Sequence, residues 1–319
     1  EAWKIAPALV TGNSIIMKPS EITPLTTIKV FEIIEEAGVP TGVANLVLGA
    51  GETVGAHLAK SSEVDLVSFT GEVDTGKTIM QTAAQTNLKK VILELGGKNP
   101  NIIFADADFD LAVDQALNAV FFHAGQVCSA GARLLVEESI HDKFVEAIIE
   151  RTKKIKLGNG FDEQTECGPL ISKEHREKVE KYIEIAKDEG ATIALGGKRP
   201  NNPDLQDGFF FEPTIITNCE HEHRIVQEEV FGPVLTVEKF STEKEVIEKA
   251  NDTIYGLAGA VFSQDIEKAE RVVNALRLGT VWINDFHPYF PQAPWGGFKQ
   301  SGIGYELGEQ GLAAYTEIK

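Results

Sequence analysis

Apolar residues along this chain follow two alternating spacings. Short runs rich in β-branched residues, typical of buried strands, are followed by stretches with apolar residues three or four positions apart, typical of amphipathic helices. One such stretch, PLTTIKVFEIIEEAG, predicts a helix that opens at Pro24 and stops at Gly38. The strand-like runs of this part are NSIIMK (13–18), ANLVLG (44–49), DLVSFTG (65–71) and VILELGG (91–97). Short strands alternating with helices predict an α/β fold whose parallel sheet is covered on both faces.

A second series of the same kind predicts a second α/β domain that begins near residue 95. It contains the helical stretch DLAVDQALNAVFFHAG (110–125) and the strand ARLLVEE (132–138). GGKRPNNPDLQDG (196–208) is rich in Gly, Pro and Asn and predicts a surface loop. The Gly-rich turn GAGETVG (49–55) lacks the spacing of the dinucleotide fingerprint, so by itself it is a weak sign of a nucleotide site.

Composition disfavours several kinds of partner. The 319 residues carry a net charge of −18, which argues against a nucleic-acid partner and favours a cationic small molecule through long-range attraction. No apolar run approaches the ~20 residues of a membrane span, and no signal peptide is visible. The three cysteines form no CxxC pair, so we predict neither a zinc site nor a disulfide framework, and a cytoplasmic location fits best. The opening residues contain no start methionine and begin in mid-fold, which predicts an incomplete chain.

Two side chains occupy positions suited to chemistry. Cys128 follows a helical run in FFHAGQVCSA, although a lone cysteine is more often a small buried residue than a nucleophile. Glu94 ends the apolar strand of LELGGK, just before a Gly pair. Ligands of doubly wound sheets bind beyond the carboxyl ends of the strands, where apolar neighbours raise the pKa of a carboxyl and suit it to general-base catalysis. Taken singly, each residue leaves the structural alternative open.

The two motifs also occur in one order and spacing, because the cysteine of FFHAGQVC follows the glutamate of LELGGK by 34 residues. Further motifs are MKPSE (17–21), FTG (69–71), EEVFGP (228–233) and PWGGFKQSGIGYELG (294–308). With them the chain resembles the aldehyde dehydrogenase superfamily over essentially all of its residues. Within that superfamily, WKIAPAL, HAGQVCSAG and GTVWINDFHPYFPQAPWGG are similar to the bacterial betaine aldehyde dehydrogenase group.

The resemblance implies an oxidation through a covalent intermediate. The Cys128 thiolate would attack the aldehyde carbon, backbone N–H groups and an Asn side chain would hold the oxyanion, and hydride would pass to NAD⁺. Glu94 would then activate the water that hydrolyses the thioester. Lys4 and Glu306 match the family's charge relay, which passes protons between the base and solvent. Betaine aldehyde would give glycine betaine, an osmoprotectant.

The resemblance also implies the cofactor contacts. The matching positions are Lys18, Pro19, Ser20, Glu21, Gly71, Glu72, Val73, Asp74, Gly96, Glu229 and Phe231. A carboxylate at Glu21 would repel a 2′-phosphate, so NAD⁺ is favoured over NADP⁺. Glu72 stands where the family usually has Ser or Gly, next to the expected diphosphate. We expect weaker NAD⁺ binding unless this side chain points to solvent.

A trimethylammonium aldehyde has no hydrogen bonds to offer, so its recognition needs aromatic faces. Trp3, Phe122 and Trp295 match the family's cage positions, and core packing is the alternative for each. The resemblance further implies a structural monovalent cation, K⁺, at four positions: Ile22, Leu88, Lys299 and Gly302.

The resemblance divides the chain into three parts. Residues 1–95 would be the remaining part of an NAD-binding domain, 96–296 the catalytic domain, and 297–319 a return to the cofactor domain and the start of an oligomerisation segment. The chain matches the later two-thirds of the family's length, and a homo-oligomer, dimer or tetramer, is implied for the full-length protein. The family's PWN segment, whose Asn completes the oxyanion hole, is absent, and Tyr305 replaces an Arg. We expect the chain alone to be impaired in folding or activity.

Other functions stay open on the sequence alone. A sibling dehydrogenase for aminoaldehydes or aliphatic aldehydes would share these motifs, and an inactive relative would retain them without turnover. A CoA-acylating relative is disfavoured because that group generally lacks the base found as Glu94. A cysteine hydrolase would need His123 as the partner of Cys128, whereas Glu94 already supplies the base.

Overall fold

The computed structural model describes residues 1–319 as two compact units. The first unit comprises Glu1–Leu95, Tyr289–Gly297 and Ser301–Lys319, and the second comprises Gly96–Pro288 and Phe298–Gln300. The predicted division placed residues 289–296 in the catalytic domain, whereas these residues pack within the first unit. The NAD-binding and catalytic roles of the two parts stay predictions.

Eleven α-helices and twelve strands alternate along the chain. The helices are α1 Ala2–Val10, α2 Leu25–Glu36, α3 Ala56–Lys60, α4 Val73–Gln85, α5 Phe109–Phe121, α6 His141–Thr152, α7 Lys173–Asp188, α8 Arg224–Gln227, α9 Glu243–Asn251, α10 Ile266–Ala275 and α11 Gly308–Ala313. The strands are β1 Ile15–Met17, β2 Ala44–Leu46, β3 Leu66–Thr70, β4 Lys90–Glu94, β5 Pro100–Ile103, β6 Arg133–Glu137, β7 Thr192–Leu195, β8 Thr214–Thr217, β9 Val234–Phe240, β10 Ala258–Phe262, β11 Thr280–Ile283 and β12 Gly302–Ile303. Each helix is too short or too polar to cross a bilayer.

The first unit contains two small sheets. β1 and β2 form a parallel pair, and β4 lies between β3 and β12 in a three-stranded sheet. β3 runs parallel to β4, whereas β12 runs antiparallel and sets Gly302 opposite Glu94. Helix α4 packs closely through Gly76, where a Cβ atom would lie 2.8 Å from the Leu95 side chain. Glu94 therefore ends the central strand of a packed sheet.

The second unit is built around a seven-stranded sheet in the order β11-β10-β5-β6-β9-β8-β7. All neighbours are parallel except β7 and β8. Every residue of β5 and β10 is buried, as expected for parallel strands covered on both faces. Four helices begin with a side chain that accepts a hydrogen bond from the amide three residues on, at Asp108, Ser172, Thr242 and Asp265.

A buried arginine joins the middle of this sheet to α9. Arg133, the first residue of β6, is fully buried, and burial lowers the pKa of its guanidinium to about 10. Its two terminal nitrogens donate to the carbonyl oxygens of Lys249 and Ala250, at 2.9 and 2.8 Å. These carbonyls lie at the C-terminal end of α9, where a cation is favourable for the helix dipole.

The predicted alternation of strands and helices is confirmed, with local differences. The two antiparallel pairings, β7 with β8 and β12 with β4, depart from the predicted parallel sheet. Gly51–Gly55, predicted as a turn, is a π-helical turn that continues into α3. The helix predicted to reach residue 125 ends at Phe121, because His123 and Ala124 adopt positive φ angles of 50° and 54°.

Candidate active site

The loop that carries Cys128 leaves α5 through a sharp change of backbone direction. After His123 and Ala124, Gly125 also has a positive φ of 70°, and a Cβ there would overlap the carbonyl of Gly232. Only glycine fits so close an approach. Cys128 follows three residues later and is half-buried.

The residue just before β5 holds the backbone of this loop through hydrogen bonds. The Asn99 amide nitrogen donates to the carbonyl oxygens of Cys128 and Ala130, at 2.8 and 2.9 Å. Gly97 also packs against the loop, since a Cβ there would lie 2.5 Å from the Cys128 carbonyl oxygen. The close contact between Gly97 and the Cys128 backbone explains why the second Gly of the LELGGK motif cannot carry a side chain.

The other two cysteines differ from Cys128 in their surroundings. Cys167 is 1% exposed, and burial raises the pKa of its thiol to about 11. Burial, followed by the charge of Glu238, raises the pKa of the Cys219 thiol to about 12. Because the thiolate is the nucleophilic form, both are inert at neutral pH. Of the three, Cys128 is the one suited to nucleophilic chemistry.

Glu94 is a buried carboxyl with an unusual pKa. Its residue is 5% exposed, and neither carboxylate oxygen accepts a hydrogen bond of normal geometry. Burial, and next the negative charge of Glu306, raise the pKa of Glu94 to about 8. The charge of Lys4 and, least of all, the Trp295 side chain lower it. Such a carboxyl exchanges protons near neutral pH, as a general base requires.

The predicted relay residues Lys4 and Glu306 form a direct ion pair in the first unit. The Lys4 ammonium also donates to the Ser68 hydroxyl at 3.0 Å, and that hydroxyl lies 3.3 Å from the Glu306 carboxylate. The backbones of Glu306 and Trp295 exchange two hydrogen bonds of 2.7 Å. This bridge fixes Glu306 beside the general-base candidate, and Ser68 is a member of the cluster that the sequence did not indicate.

Three aromatic rings of the first unit form one group. Trp3 lies 5.7 Å from Tyr289 and 6.0 Å from Trp295, and the last two are 5.0 Å apart, all in tilted or edge-on arrangements. Tyr289 was missed because nothing near it in the sequence indicates that the chain returns to the first unit there. Trp295 is only 4% exposed, so this ring also packs in the interior of the unit.

Phe122, the third predicted cage residue, belongs to the second unit. Its ring lies 4.1 Å from the His123 ring and 5.6 Å from the His287 ring, and the residue is 47% exposed. The side chain is therefore available for contact with a ligand rather than used in the core.

The KPSE segment is held against the Gly-rich turn. The Lys18 ammonium donates to the carbonyls of Pro19 and Gly49, at 2.7 and 2.8 Å. The exposed Glu21 carboxyl has a lowered pKa because backbone amides, its own first, donate to it. Pro19 is buried and Ser20 is exposed. The KPSE segment thus begins with the Lys18 cation and ends with the ionised Glu21 carboxylate.

The predicted diphosphate turn lies at the N-terminus of α4. The positions are Gly71, Glu72, Val73 and Asp74, and the Glu72 side chain makes no capping bond to the helix. Glu72 and Asp74 are both exposed. The first-turn amides are thus available to an anion, and an exposed Glu72 reduces the repulsion that its charge would otherwise cause.

In the second unit, Glu229 packs on the Gly pair of LELGGK. Its carboxylate accepts from the Gly97 N–H at 3.0 Å, and a Cβ at Gly96 would overlap it. Phe231 has a positive φ of 58°, and its carbonyl oxygen lies 2.6 Å from a His175 ring nitrogen. Glu229 and Phe231 line one small pocket together with Gly97, and glycine is required at position 96.

The predicted cation residues have mixed surroundings. Ile22 and Leu88 are 58% and 80% exposed, and Gly302 pairs with β4. The Lys299 ammonium donates to the carbonyls of Asn251 and Thr253 at 2.8 and 3.1 Å. The K⁺ site stays a prediction. Tyr305, the departure near the C-terminal motif, is 43% exposed.

Comparison with known proteins agrees with this geometry. The sequence matches the aldehyde dehydrogenase family over residues 1–319, and the chain belongs to that family. Its α/β architecture is the aldehyde dehydrogenase fold, as predicted.

Several of the relatives most similar in sequence and structure are betaine aldehyde dehydrogenases. The chain is 71% identical over 318 residues to a betaine aldehyde dehydrogenase of Bacillus subtilis, all of this chain matching 65% of the relative. It is 50% identical to the chloroplastic betaine aldehyde dehydrogenase of Atriplex hortensis, of which it covers 63%. The crystal structure of a Staphylococcus aureus betaine aldehyde dehydrogenase in complex with NAD⁺ superposes with a TM-score of 0.97, at 70% identity, over 98% of this chain and 62% of that one. The chain thus spans slightly less than two-thirds of the length of each of these relatives.

Proposed function

We propose that this chain carries the nucleophile and general base of an NAD-dependent oxidation of betaine aldehyde to glycine betaine. The observation that carries the proposal is the buried Glu94, whose pKa near 8 is set by burial and by the Lys4–Glu306 pair. A structural carboxylate gains nothing from such a site, whereas a base that must take a proton from water near neutral pH gains a matched pKa.

In this proposal the Cys128 sulfur attacks the aldehyde carbon, and the thioester that follows is hydrolysed by water. Glu94 takes the proton of that water, and its own proton leaves through the Lys4–Glu306 pair. Two observations support Cys128 as the nucleophile: its backbone is held by a hydrogen bond from Asn99, and burial keeps the other two thiols protonated. A covalent intermediate divides one difficult oxidation into two easier steps.

The residues proposed for NAD⁺ fit that molecule. The ionised Glu21 and the Lys18 ammonium suit the ribose hydroxyls, and the open N-terminus of α4 suits the diphosphate. The carboxylate of Glu229, which packs on Gly96, supplies a further acceptor for a ribose hydroxyl. When bound, NAD⁺ accepts the hydride that the aldehyde carbon loses. Glu21 supports NAD⁺ over NADP⁺ because its charge opposes a 2′-phosphate.

For the substrate, we propose a trimethylammonium aldehyde recognised by π-faces. Trp3 and Trp295, now with Tyr289, supply such faces in the first unit, and Phe122 supplies one in the second. The chain is as similar to an aldehyde dehydrogenase of another name as it is to the plant betaine aldehyde dehydrogenase. Its identity to the rat cytosolic aldehyde dehydrogenase 1 is also 50%. An aminoaldehyde or aliphatic aldehyde therefore remains the second candidate. The homo-oligomer and the cytoplasmic location stay predictions.

The test uses the chain alone and a chimaera in which it replaces the matching segment of the Bacillus subtilis relative. We expect NADH formation from betaine aldehyde by the chimaera, loss of it in Cys128→Ala, and retention in the control Cys167→Ala. In Glu94→Gln we expect a single burst of NADH followed by slow turnover, because acylation survives and hydrolysis fails. NADH formation that survives Cys128→Ala, or a failure to oxidise any aldehyde, would refute the proposal.

A further inference from the structure

The second unit contains a pocket of about 360 Å³ beside the nucleophile loop. It is lined by Phe122 and by the loop after β11, including Asp285 and His287. His287 connects it to the nucleophile, because its Nδ1 lies 3.5 Å from the hydroxyl of Ser129, the residue after Cys128. A group bound in this pocket would sit next to the reacting cysteine's own loop.

A single carboxylate gives the pocket its charge. Asp285 is half-buried, and the two hydrogen bonds seen at its carboxylate, from the Gln115 amide at 3.1 Å and the Phe286 N–H at 2.7 Å, both fall on Oδ1. Neither donor carries a positive charge, so neither offsets the charge of the carboxylate. The remaining polar liner on α5, Asn118, is neutral.

His287 does not cancel that charge. Burial lowers the pKa of its imidazole, so the ring is neutral at pH 7. The Phe122 ring lies 5.6 Å from it, and that residue is about half exposed. The pocket thus combines one anion with aromatic faces, the combination that favours a quaternary ammonium ion over a neutral group of the same shape.

The loop that presents Asp285 is held rigidly. Asn284 has a positive φ of 55°, and its side-chain amide exchanges two 2.9 Å hydrogen bonds with the Ser263 backbone. His287 has a φ of 73°, and the Trp282 indole N–H donates to the Pro288 carbonyl at 3.0 Å. Two non-glycine residues in the left-handed region within four positions show that the surrounding contacts hold the loop in this conformation.

From these observations we infer that Asp285 determines the preference of the site for cationic aldehydes, by placing a fixed carboxylate in the Phe122 pocket. The inference rests on the proposed function and assigns a specificity-determining residue that neither the motifs nor the aromatic positions indicated. A carboxylate about 5 Å from a cation, screened as in bulk water, changes its affinity roughly fourfold, and more where water is excluded.

The experiment compares two substrates of equal shape in the chimaera, betaine aldehyde and its carbon analogue 3,3-dimethylbutanal. In Asp285→Asn, which preserves the shape of the side chain, the ratio of kcat/KM for the cationic to the neutral aldehyde should fall at least about fourfold, through KM. The control Asp207→Asn removes an equal charge from the exposed 196–208 loop and should leave the ratio unchanged. A ratio unchanged in Asp285→Asn would overturn the inference while leaving the proposed function intact.

A second variant protects the test against a folding defect at Asp285. Asn118 is exposed on α5, so Asn118→Asp should raise the cationic-to-neutral ratio and Asn118→Lys should lower it. If the chimaera oxidises neither aldehyde, the proposed function fails, and binding decides the inference alone. Tetramethylammonium, observed by saturation-transfer NMR on the 319-residue chain, should then bind about fourfold more weakly to Asp285→Asn, and equal binding would overturn the inference.

Discussion

Replacing Glu94 by Gln is expected to make the protein relatively more stable as the pH rises. The ordinary glutamate pKa of 4.5 applies to the unfolded chain, whereas the folded protein holds the Glu94 pKa at about 8. Between these two values the folded state keeps a proton that the unfolded state has released, so the free energy of unfolding of the wild type falls with increasing pH. Glutamine does not titrate, so the free energy of unfolding of the variant does not fall with pH for this reason.

The size of the effect follows from the pKa difference. At roughly 1.4 kcal/mol per unit, the shift corresponds to about 5 kcal/mol as an upper limit, reached once the pH exceeds 8. A few kcal/mol is a large share of the stability of an ordinary domain. The advantage of Glu94→Gln over the wild type should therefore be smallest near pH 4.5, grow through neutral pH and level off above pH 8.

Urea unfolding at a series of pH values from 5 to 9 measures this difference directly. The surface variant Glu163→Gln serves as the control, since it removes one exposed carboxyl and shows what loss of a charge does by itself. A difference between Glu94→Gln and wild type that is the same at every pH would mean that Glu94 titrates alike in both states. Glu94 would then lack the raised pKa that suits a general base near neutral pH.

Three further outcomes are expected. A limiting amount of iodoacetamide should alkylate Cys128 before Cys167, whose raised pKa keeps it protonated, and peptide mass analysis would detect the reverse order. In Lys4→Met, loss of a charge that lowers the Glu94 pKa should move the rise of thioester hydrolysis to higher pH, and an unmoved pH profile would exclude Lys4 from this role. Gly96→Ala should weaken NAD⁺ binding at least about tenfold, because its Cβ would displace a carboxylate at the proposed cofactor site, and calorimetric titration against wild type would reveal an unchanged affinity.

The parts of the site predicted from sequence are those fixed by local chemistry. Cys128 and Glu94 stand in motifs whose glycines have identifiable packing reasons, and the structure gives one of them at Gly97. The apolar strand predicted the direction of the Glu94 pKa shift, whose largest cause is burial. The second cause, the charge of Glu306, could not be predicted because Glu306 lies more than two hundred residues further along the chain. The proposed role of Asp285 could not be predicted from the sequence, because it depends on a pocket that the loop after β11 forms with α5.

The same limit applies to the fold. Hydrophobic spacing located most helices and strands, since each element buries one face irrespective of its partners. The reversed directions of β7 and β12 left no trace in that spacing, because side chains alternate in the same way in parallel and in antiparallel strands. The end of α5 at Phe121 was also missed, since a positive φ at His123 and Ala124 is imposed by the loop's surroundings.

The buried guanidinium of Arg133 has a consequence for how the protein is made on the ribosome. Its hydrogen-bond acceptors lie more than a hundred residues downstream, and β6 itself pairs with β9. When β6 emerges, neither its second neighbouring strand nor the acceptors of its charge have been synthesised. The first half of the second unit must therefore wait with an arginine and a strand edge exposed to water, which favours delayed closure over stepwise folding of this unit during translation.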